Sequence, residues 1–101
     1  EKRDMKILKK YAKECVKMTL ECELDLGIID YYGDTPILPS VEDIIEFMNS
    51  YDIFCDAEDK LGLGDIFDKL NWREIENVVR NEVRLNYHKF EELLIATGNY
   101  N

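Results

Sequence analysis

The hydrophobic positions of the first 26 residues recur with the period of an α-helix. Seven of them follow alternating spacings of three and four: Met5, Leu8, Ala12, Cys15, Thr19, Cys22 and Leu26. This spacing is typical of one wide apolar stripe on an amphipathic helix. Gly27 follows directly, where a helix often ends in a left-handed residue. The pattern predicts a long helix over residues 2–26.

The helical period disappears between residues 27 and 39. Gly33 and Asp34 are typical turn residues, and Pro36 and Pro39 exclude a regular helix. A glycine at the first central position suits a type II′ turn, although the prolines weaken the second strand. We therefore expect either a partly buried connection or a short β-hairpin within residues 28–38.

Helical spacing returns after Ser40, which precedes Asp43 by three residues, as in a capping box. The apolar positions then predict three short helices, over residues 41–51, 53–61 and 65–70. Asp52 and Asp65 stand before the second and third of these, and aspartate is a favoured N-cap residue. The second helix could also continue the first across a kink.

A second long apolar stripe fills the last third of the chain, at Trp72, Ile75, Val79, Val83, Tyr87, Phe90 and Leu94. Asn71 and Glu74 form a box-like start, so this stripe predicts one helix over residues 72–97. Two long helices with shorter ones between them indicate an all-α fold, a small antiparallel helical bundle. A chain of 101 residues suits a single helical domain over 1–101.

The formal net charge of −9 is concentrated in the middle of the chain. Residues 30–68 contain eleven acidic residues and one basic residue, Lys60, whereas the flanking segments are nearly neutral. Acids near helix starts favour the helix dipole and keep a protein in solution, so a solvated surface is one interpretation. The other is a docking surface for a basic partner, because a patch of one sign attracts its opposite. Direct nucleic-acid binding is disfavoured, since most of this surface should repel phosphates.

The candidate partner-binding residues lie between positions 30 and 59. They are Asp30, Tyr31, Tyr32, Asp34, Glu42, Asp43, Glu46, Asp52, Asp56, Glu58 and Asp59. The two tyrosines are included because adjacent loop residues rarely both point inward and tyrosine is enriched at interfaces. Carboxylates four residues apart on a helix are separated by roughly 6 Å, which is close to phosphate spacing and permits mimicry of nucleic acid.

The chain contains no recognisable catalytic or metal-binding pattern. His88 is the only histidine, and we expect it on the surface, near Glu92. The cysteines and this single histidine do not have zinc-ligand spacing, and Lys60 and Leu61 stand where a calcium loop from Asp56 needs an acid and a glycine. We therefore expect a non-enzymatic protein with no catalytic residue, no metal site and no cofactor.

Three cysteines, an odd number without a CxxC pair, favour a reducing compartment and a cytoplasmic location. Cys15 and Cys22 are two helical turns apart, about 10 Å, which is too far for a disulfide. All three cysteines, including Cys55, are expected to be small buried hydrophobes. No apolar run approaches the roughly 18 residues of a membrane span.

Together these features predict a binding protein that docks its acidic face, residues 30–68, on a basic surface of a partner protein. That surface is expected to be one that binds nucleic acid, as in nuclease-immunity proteins and phage inhibitors of CRISPR or restriction systems. The alternative is a structural or regulatory helical subunit that oligomerises through its apolar helix stripes. No motif in the sequence matches a specific family.

Overall fold

The structure is a computed structural model that describes the backbone of residues 2–98 and the side chains of residues 5–96. Within these limits it consists of helices and one small hairpin, which confirms the all-α class. The elements are α1 (Lys2–Asp25), β1 (Tyr31–Tyr32), β2 (Thr35–Pro36), α2 (Val41–Ser50), α3 (Ile53–Leu61), α4 (Gly64–Phe67), α5 (Trp72–Leu85) and α6 (Tyr87–Gly98).

Helix α1 is the central element, and it packs against α2, α3, α5 and α6. Its predicted extent of residues 2–26 is confirmed to within one residue. Gly27 has a φ of 71°. The N–H groups of Gly27 and Ile28 donate to the carbonyls of Leu24 and Glu23, both at 3.1 Å, so the glycine ends the helix in a Schellman arrangement.

Helices α2 and α3 are separate, as predicted, and each buries one apolar face. Their buried residues are Ile44, Ile45, Phe47, Met48, Ile53, Phe54 and Ala57. The hydroxyl of Ser40 accepts a hydrogen bond from the Asp43 N–H at 3.2 Å, so the predicted cap of α2 is confirmed. The predicted capping of α3 by the Asp52 side chain is wrong. Asp52 has a left-handed backbone (φ 54°), and its side chain makes no capping hydrogen bond.

The hairpin forms around Gly33 and Asp34. Tyr31 pairs with Pro36, and Tyr32 pairs with Thr35, in an antiparallel register. Gly33 has a positive φ of 65°, and the φ of Asp34 is not positive. A type II′ turn requires this combination at its two central residues. The prolines do not prevent the pairing, because each strand is only two residues long.

The predicted single helix over residues 72–97 is wrong, because the chain breaks at Asn86 into α5 and α6. The Asn86 side-chain amide donates to the Glu82 carbonyl at 3.1 Å and to the Glu82 carboxylate at 2.9 Å. An asparagine side chain that bonds nearby polar groups competes with the helical backbone. Val83 and Phe90 are both buried, so the apolar pattern continues across the break.

Helix α4 is shorter than the predicted helix over residues 65–70. Leu63, and not Asp65, occupies its N-cap position, and Asp65 lies in its first turn. The chain reaches α4 directly after the C-cap of α3, where Gly62 has a φ of 65°. Leu63 follows this C-cap directly and already begins α4, so Asp65 cannot be its N-cap.

The apolar stripes of the two predicted long helices face the interior. They supply much of the buried core, at Leu8, Tyr11, Ala12, Cys15, Val16, Leu20, Ile75, Val79, Val83, Phe90 and Leu94. Of the three free thiols only Cys15 is buried, whereas Cys55 is exposed, which corrects the expectation that all three lie inside. In the described part of the chain, no helix is both long and apolar enough to cross a membrane.

Candidate functional site

The outer face of α2 carries acidic side chains. Its inner face is fixed in the core by Ile44 and Met48, which are fully buried. Helical geometry then directs Glu42, Asp43 and Glu46 towards solvent, and all three are exposed.

The outer face of α3 is acidic for the same reason. Ile53, Phe54 and Ala57 hold its inner face, so Asp56 and Asp59 point outward and are exposed. Asp52, just before the helix, is also exposed, whereas Glu58 is only half exposed.

Two of these acids lie near the last turns of α1, since Asp56 acts on Cys22 and Asp43 acts on Glu23. Burial raises the pKa of the Cys22 thiol, and neighbouring acids that include Asp56 raise it further. We call five exposed acids of α2, α3 and the segment between them the acidic surface: Asp43, Glu46, Asp52, Asp56 and Asp59. Glu42 is not included, because it pairs with arginine.

The only basic residue between positions 30 and 68 is occupied within the molecule. The Lys60 ammonium lies 2.8 Å from a carboxylate oxygen of Glu14 on α1, and this hydrogen bond raises the pKa of Lys60. Among the described side chains, ten of the eleven central acids form no ion pair: Asp30, Asp34, Asp43, Glu46, Asp52, Asp56, Glu58, Asp59, Asp65 and Asp68. The described basic side chains therefore do not neutralise the acidic surface.

Glu42 is the exception among the central acids. Arg80 of α5 places one guanidinium nitrogen 2.9 Å and 2.8 Å from its two carboxylate oxygens, and Arg84 adds a contact at 3.5 Å. The hydrogen bond from Arg80 holds the pKa of Glu42 below its usual value. Glu42 thus links α2 to α5, and among the described side chains it is the one candidate partner-binding residue that already forms an ion pair.

A shallow depression of about 310 Å³ lies along one side of α2, lined by Asp43, Glu46, Phe47, Ser50 and Tyr51. The rings of Phe47 and Tyr51 stack at 4.2 Å with an interplanar angle of 13°. Tyr51 is 54% exposed. Two carboxylates beside an aromatic ring form a suitable receptor for a lysine or arginine side chain. We call this depression the α2 notch.

Glu23 of α1 lies near Asp43, one of the residues that line the α2 notch. It is only 7% exposed, and among the described side chains its Oε1 is the one buried side-chain oxygen or nitrogen without a hydrogen-bond partner. Burial, followed by the negative charge of Asp43, raises the pKa of Glu23 to about 7. A buried carboxyl group with a raised pKa therefore lies next to Asp43 of the acidic surface.

Four candidate residues lie in or next to the hairpin, and contacts between the hairpin region and α6 position them: Asp30, Tyr31, Tyr32 and Asp34. Strand β2 packs against α6, and the Tyr87 hydroxyl lies 3.2 Å and 2.9 Å from the carbonyl oxygens of Leu38 and Pro39. Tyr31 and Tyr32 are 53% and 84% exposed, so both face solvent. Asp30 and Asp34 are exposed as well. These residues belong to a different element from the acids of α2 and α3.

Sequence reasoning did not include Tyr51 or Glu23 in the site. Tyr51 falls on the apolar period of α2, which made a core position the better interpretation. Glu23 looked like one polar residue among several near the end of α1. Their roles depend on contacts with other residues that the local pattern does not specify.

The described side chains contain no group of three or more histidines, cysteines and acids that could hold a metal ion. His88 is exposed, and its ring lies 6.0 Å from that of Tyr87. The fold and the charge distribution thus define a small helical domain with an acidic surface on α2 and α3. Comparisons with protein families, with curated proteins and with solved structures gave no match.

Proposed function

We propose that this protein is a non-enzymatic, acidic protein-binding module. It acts as an inhibitor that docks its acidic surface on a basic, nucleic-acid-binding surface of a partner protein. The observation that carries the proposal is the set of outward-facing carboxylates without ion pairs, together with the engagement of Lys60 by Glu14.

Electrostatics favours a basic protein as the partner. Exposed carboxylates attract a cationic surface and raise the rate of association with it, whereas they repel phosphates. In such a complex the α2 notch offers a place for one arginine or lysine side chain, between the carboxylates of Asp43 and Glu46 and next to the Tyr51 ring.

The spacing of the carboxylates supports competition with nucleic acid. Asp43 and Glu46 on α2, and Asp56 and Asp59 on α3, are each three residues apart within a helix, so the Cβ atoms of each pair are separated by roughly 6 Å. This is comparable with the distance between phosphates along a strand. A surface that recognises a row of phosphates would therefore meet a similar row of negative charges here.

Affinity capture from the source cells or their host tests the proposal. The bait is the native chain, at low ionic strength, and captured proteins are identified by mass spectrometry. The test variant is Glu46→Lys/Asp59→Lys, which reverses two exposed acids without an ion pair. We expect it to lose the basic partner that the native chain captures.

The matched control is Glu91→Lys/Glu92→Lys, which makes the same change in net charge on α6, outside the acidic surface. We expect this control to capture the partner as the native chain does. Equal capture by all three baits, or equal loss with both variants, would contradict a docking role for the acidic surface.

A further inference from the structure

A groove of about 640 Å³ lies between α1 and α6, and its charge is opposite to that of the acidic surface. Its basic side chains are Lys10, Lys13 and Lys17 of α1 and Lys89 of α6. An adjoining depression of about 340 Å³ shares Lys10, Lys13 and Lys89 with it. Asn86 lines both, so the break between α5 and α6 forms part of the groove. We call it the lysine groove.

Helical spacing explains the row of lysines. Lys10, Lys13 and Lys17 are separated by three and four residues, so they line one side of α1 over about 10 Å. Tyr11 and Ala12 of the same turns are fully buried, which directs these lysines outward.

The lysines of the groove are not neutralised by the side chains that the structure describes. Among the described side chains, Lys10, Lys13, Lys17 and Lys89 form no ion pair. The acids nearby have other partners, because Glu14 pairs with Lys60 and Glu82 lies 3.9 Å from Lys9. Of the acids that line the groove, only Glu92 is outside these pairs.

The walls of the groove are largely apolar. Phe90 and Leu93 of α6 contribute to the lining, and lysine side chains add aliphatic stems beneath their charged heads. The volume lies within the roughly 300–1,000 Å³ of small-molecule sites. A ligand that matches both features places an apolar body between the helices and an anionic group at the rim. A simple hydrophilic anion would leave the apolar walls uncovered.

We propose that the lysine groove binds an amphipathic anion, in which a carboxylate or phosphate is attached to an apolar acyl or aryl body. The lysine ammonium groups hold the anionic head, and the lysine stems, Phe90 and Leu93 contact the apolar body. This site is independent of the acidic surface.

Isothermal titration calorimetry of the full chain tests the proposal with two probes, decanoate and 1-naphthyl phosphate. We expect saturable binding with one site per chain for at least one of them, and the tighter probe distinguishes an acyl from an aryl body. Inorganic phosphate and 1-naphthol, each with only half of the required chemistry, should bind at least tenfold more weakly. Absence of saturable binding of both probes at 1 mM would overturn the proposal.

Two charge variants assign binding to the groove. We expect Lys13→Glu/Lys89→Glu to weaken binding of the probe at least tenfold. The matched control Lys69→Glu/Arg73→Glu makes the same change in net charge at exposed positions outside the groove. Its affinity for the probe should stay within twofold of that of the native chain. Circular dichroism verifies that both variants fold. Equal affinities for the two variants would overturn the assignment.

Discussion

Tyr11 joins α1 to α3 and α4 through one buried side chain. Its hydroxyl donates to the Phe54 carbonyl at 2.8 Å, and its ring meets Phe67 edge-on at 4.7 Å. Tyr11→Phe removes the hydrogen bond and keeps the ring. We expect it to lower the free energy of unfolding by about 1 kcal/mol in denaturant titrations. Tyr32→Phe, at an exposed hydroxyl, is the control, and a similar loss in that variant would contradict the role of the buried bond.

Glu23 should make stability depend on pH near neutrality. Its pKa in the folded chain is about 7, above the usual value of 4.5, so the folded state binds the proton more tightly than the unfolded state. This contribution is complete below pH 4.5 and is lost as pH rises through 7. Glu23→Gln removes the titrating group. Its stability relative to the native chain should therefore rise between pH 5 and pH 8, by roughly 2 kcal/mol.

Thermal or denaturant unfolding of both chains at several pH values measures this difference. A glutamine variant whose stability follows that of the native chain in parallel across the range would show that Glu23 titrates normally. Besides burial, the negative charge of Asp43 raises the pKa of Glu23. Asp43→Asn in the native background should therefore reduce the pH dependence of stability.

At the residue scale, sequence could identify the acids but not their partners. Local helical periodicity places Glu46 and Asp59 on outer faces, and both are exposed. The pairing of Glu42 with Arg80 joins residues 38 positions apart, and the approach of Asp43 to Glu23 joins residues 20 positions apart. Such contacts depend on how the helices pack, and no local pattern encodes that.

At the scale of single elements, the helix ends offer a matched pair of glycines. Gly62 ends α3 with a φ of 65°, whereas Gly64 begins α4 without a positive φ. A Cβ at Gly64 would meet only a carboxylate oxygen of Glu58, at 3.8 Å. Gly62→Ala should therefore cost about 1–2 kcal/mol of stability, because an L-residue is strained there. Gly64→Ala should be neutral or stabilising by up to about 1 kcal/mol.

Denaturant unfolding of the two alanine variants makes the comparison. Equal effects would mean that the left-handed backbone at Gly62 does not determine the end of α3.

Helix boundaries were predictable where the chain carries its own start and stop signals. Ser40 and Asn71 accept the N3 amide hydrogens of α2 and α5 in the predicted way, at 3.2 Å and 2.9 Å. The break at Asn86 was missed because the apolar stripe continues through it. The sequence indicates this break only through one asparagine, whose side chain can hydrogen-bond to Glu82. This signal for a helix end is weaker than the unbroken apolar pattern, which favours one continuous helix.

At the scale of the whole molecule, the burial of the helix stripes argues against the oligomeric subunit. The described large apolar residues that remain exposed on these helices or directly at their ends are Met5, Leu26, Trp72 and Leu85. We therefore expect size-exclusion chromatography with light scattering to give a mass near 11.9 kDa at both low and high salt. A dimer that persists at high salt would favour association through apolar surfaces.

The molecule carries two surfaces of opposite charge: the acidic surface on α2 and α3, and the lysine groove between α1 and α6. The net charge of −9 conceals this arrangement, since an average over the chain mixes both. Interactions at either surface should weaken as salt rises, because the Debye length falls from about 10 Å at 0.1 M to about 3 Å at 1 M.

Displacement of nucleic acid from the captured partner tests the central claim most directly. Fluorescence anisotropy follows labelled duplex DNA bound to that partner while the native chain or a charge variant is added. The account predicts that the native chain and Glu91→Lys/Glu92→Lys release the DNA at similar concentrations, and that Glu46→Lys/Asp59→Lys needs at least tenfold more. Release by all three chains at the same concentration, or by none, would contradict it.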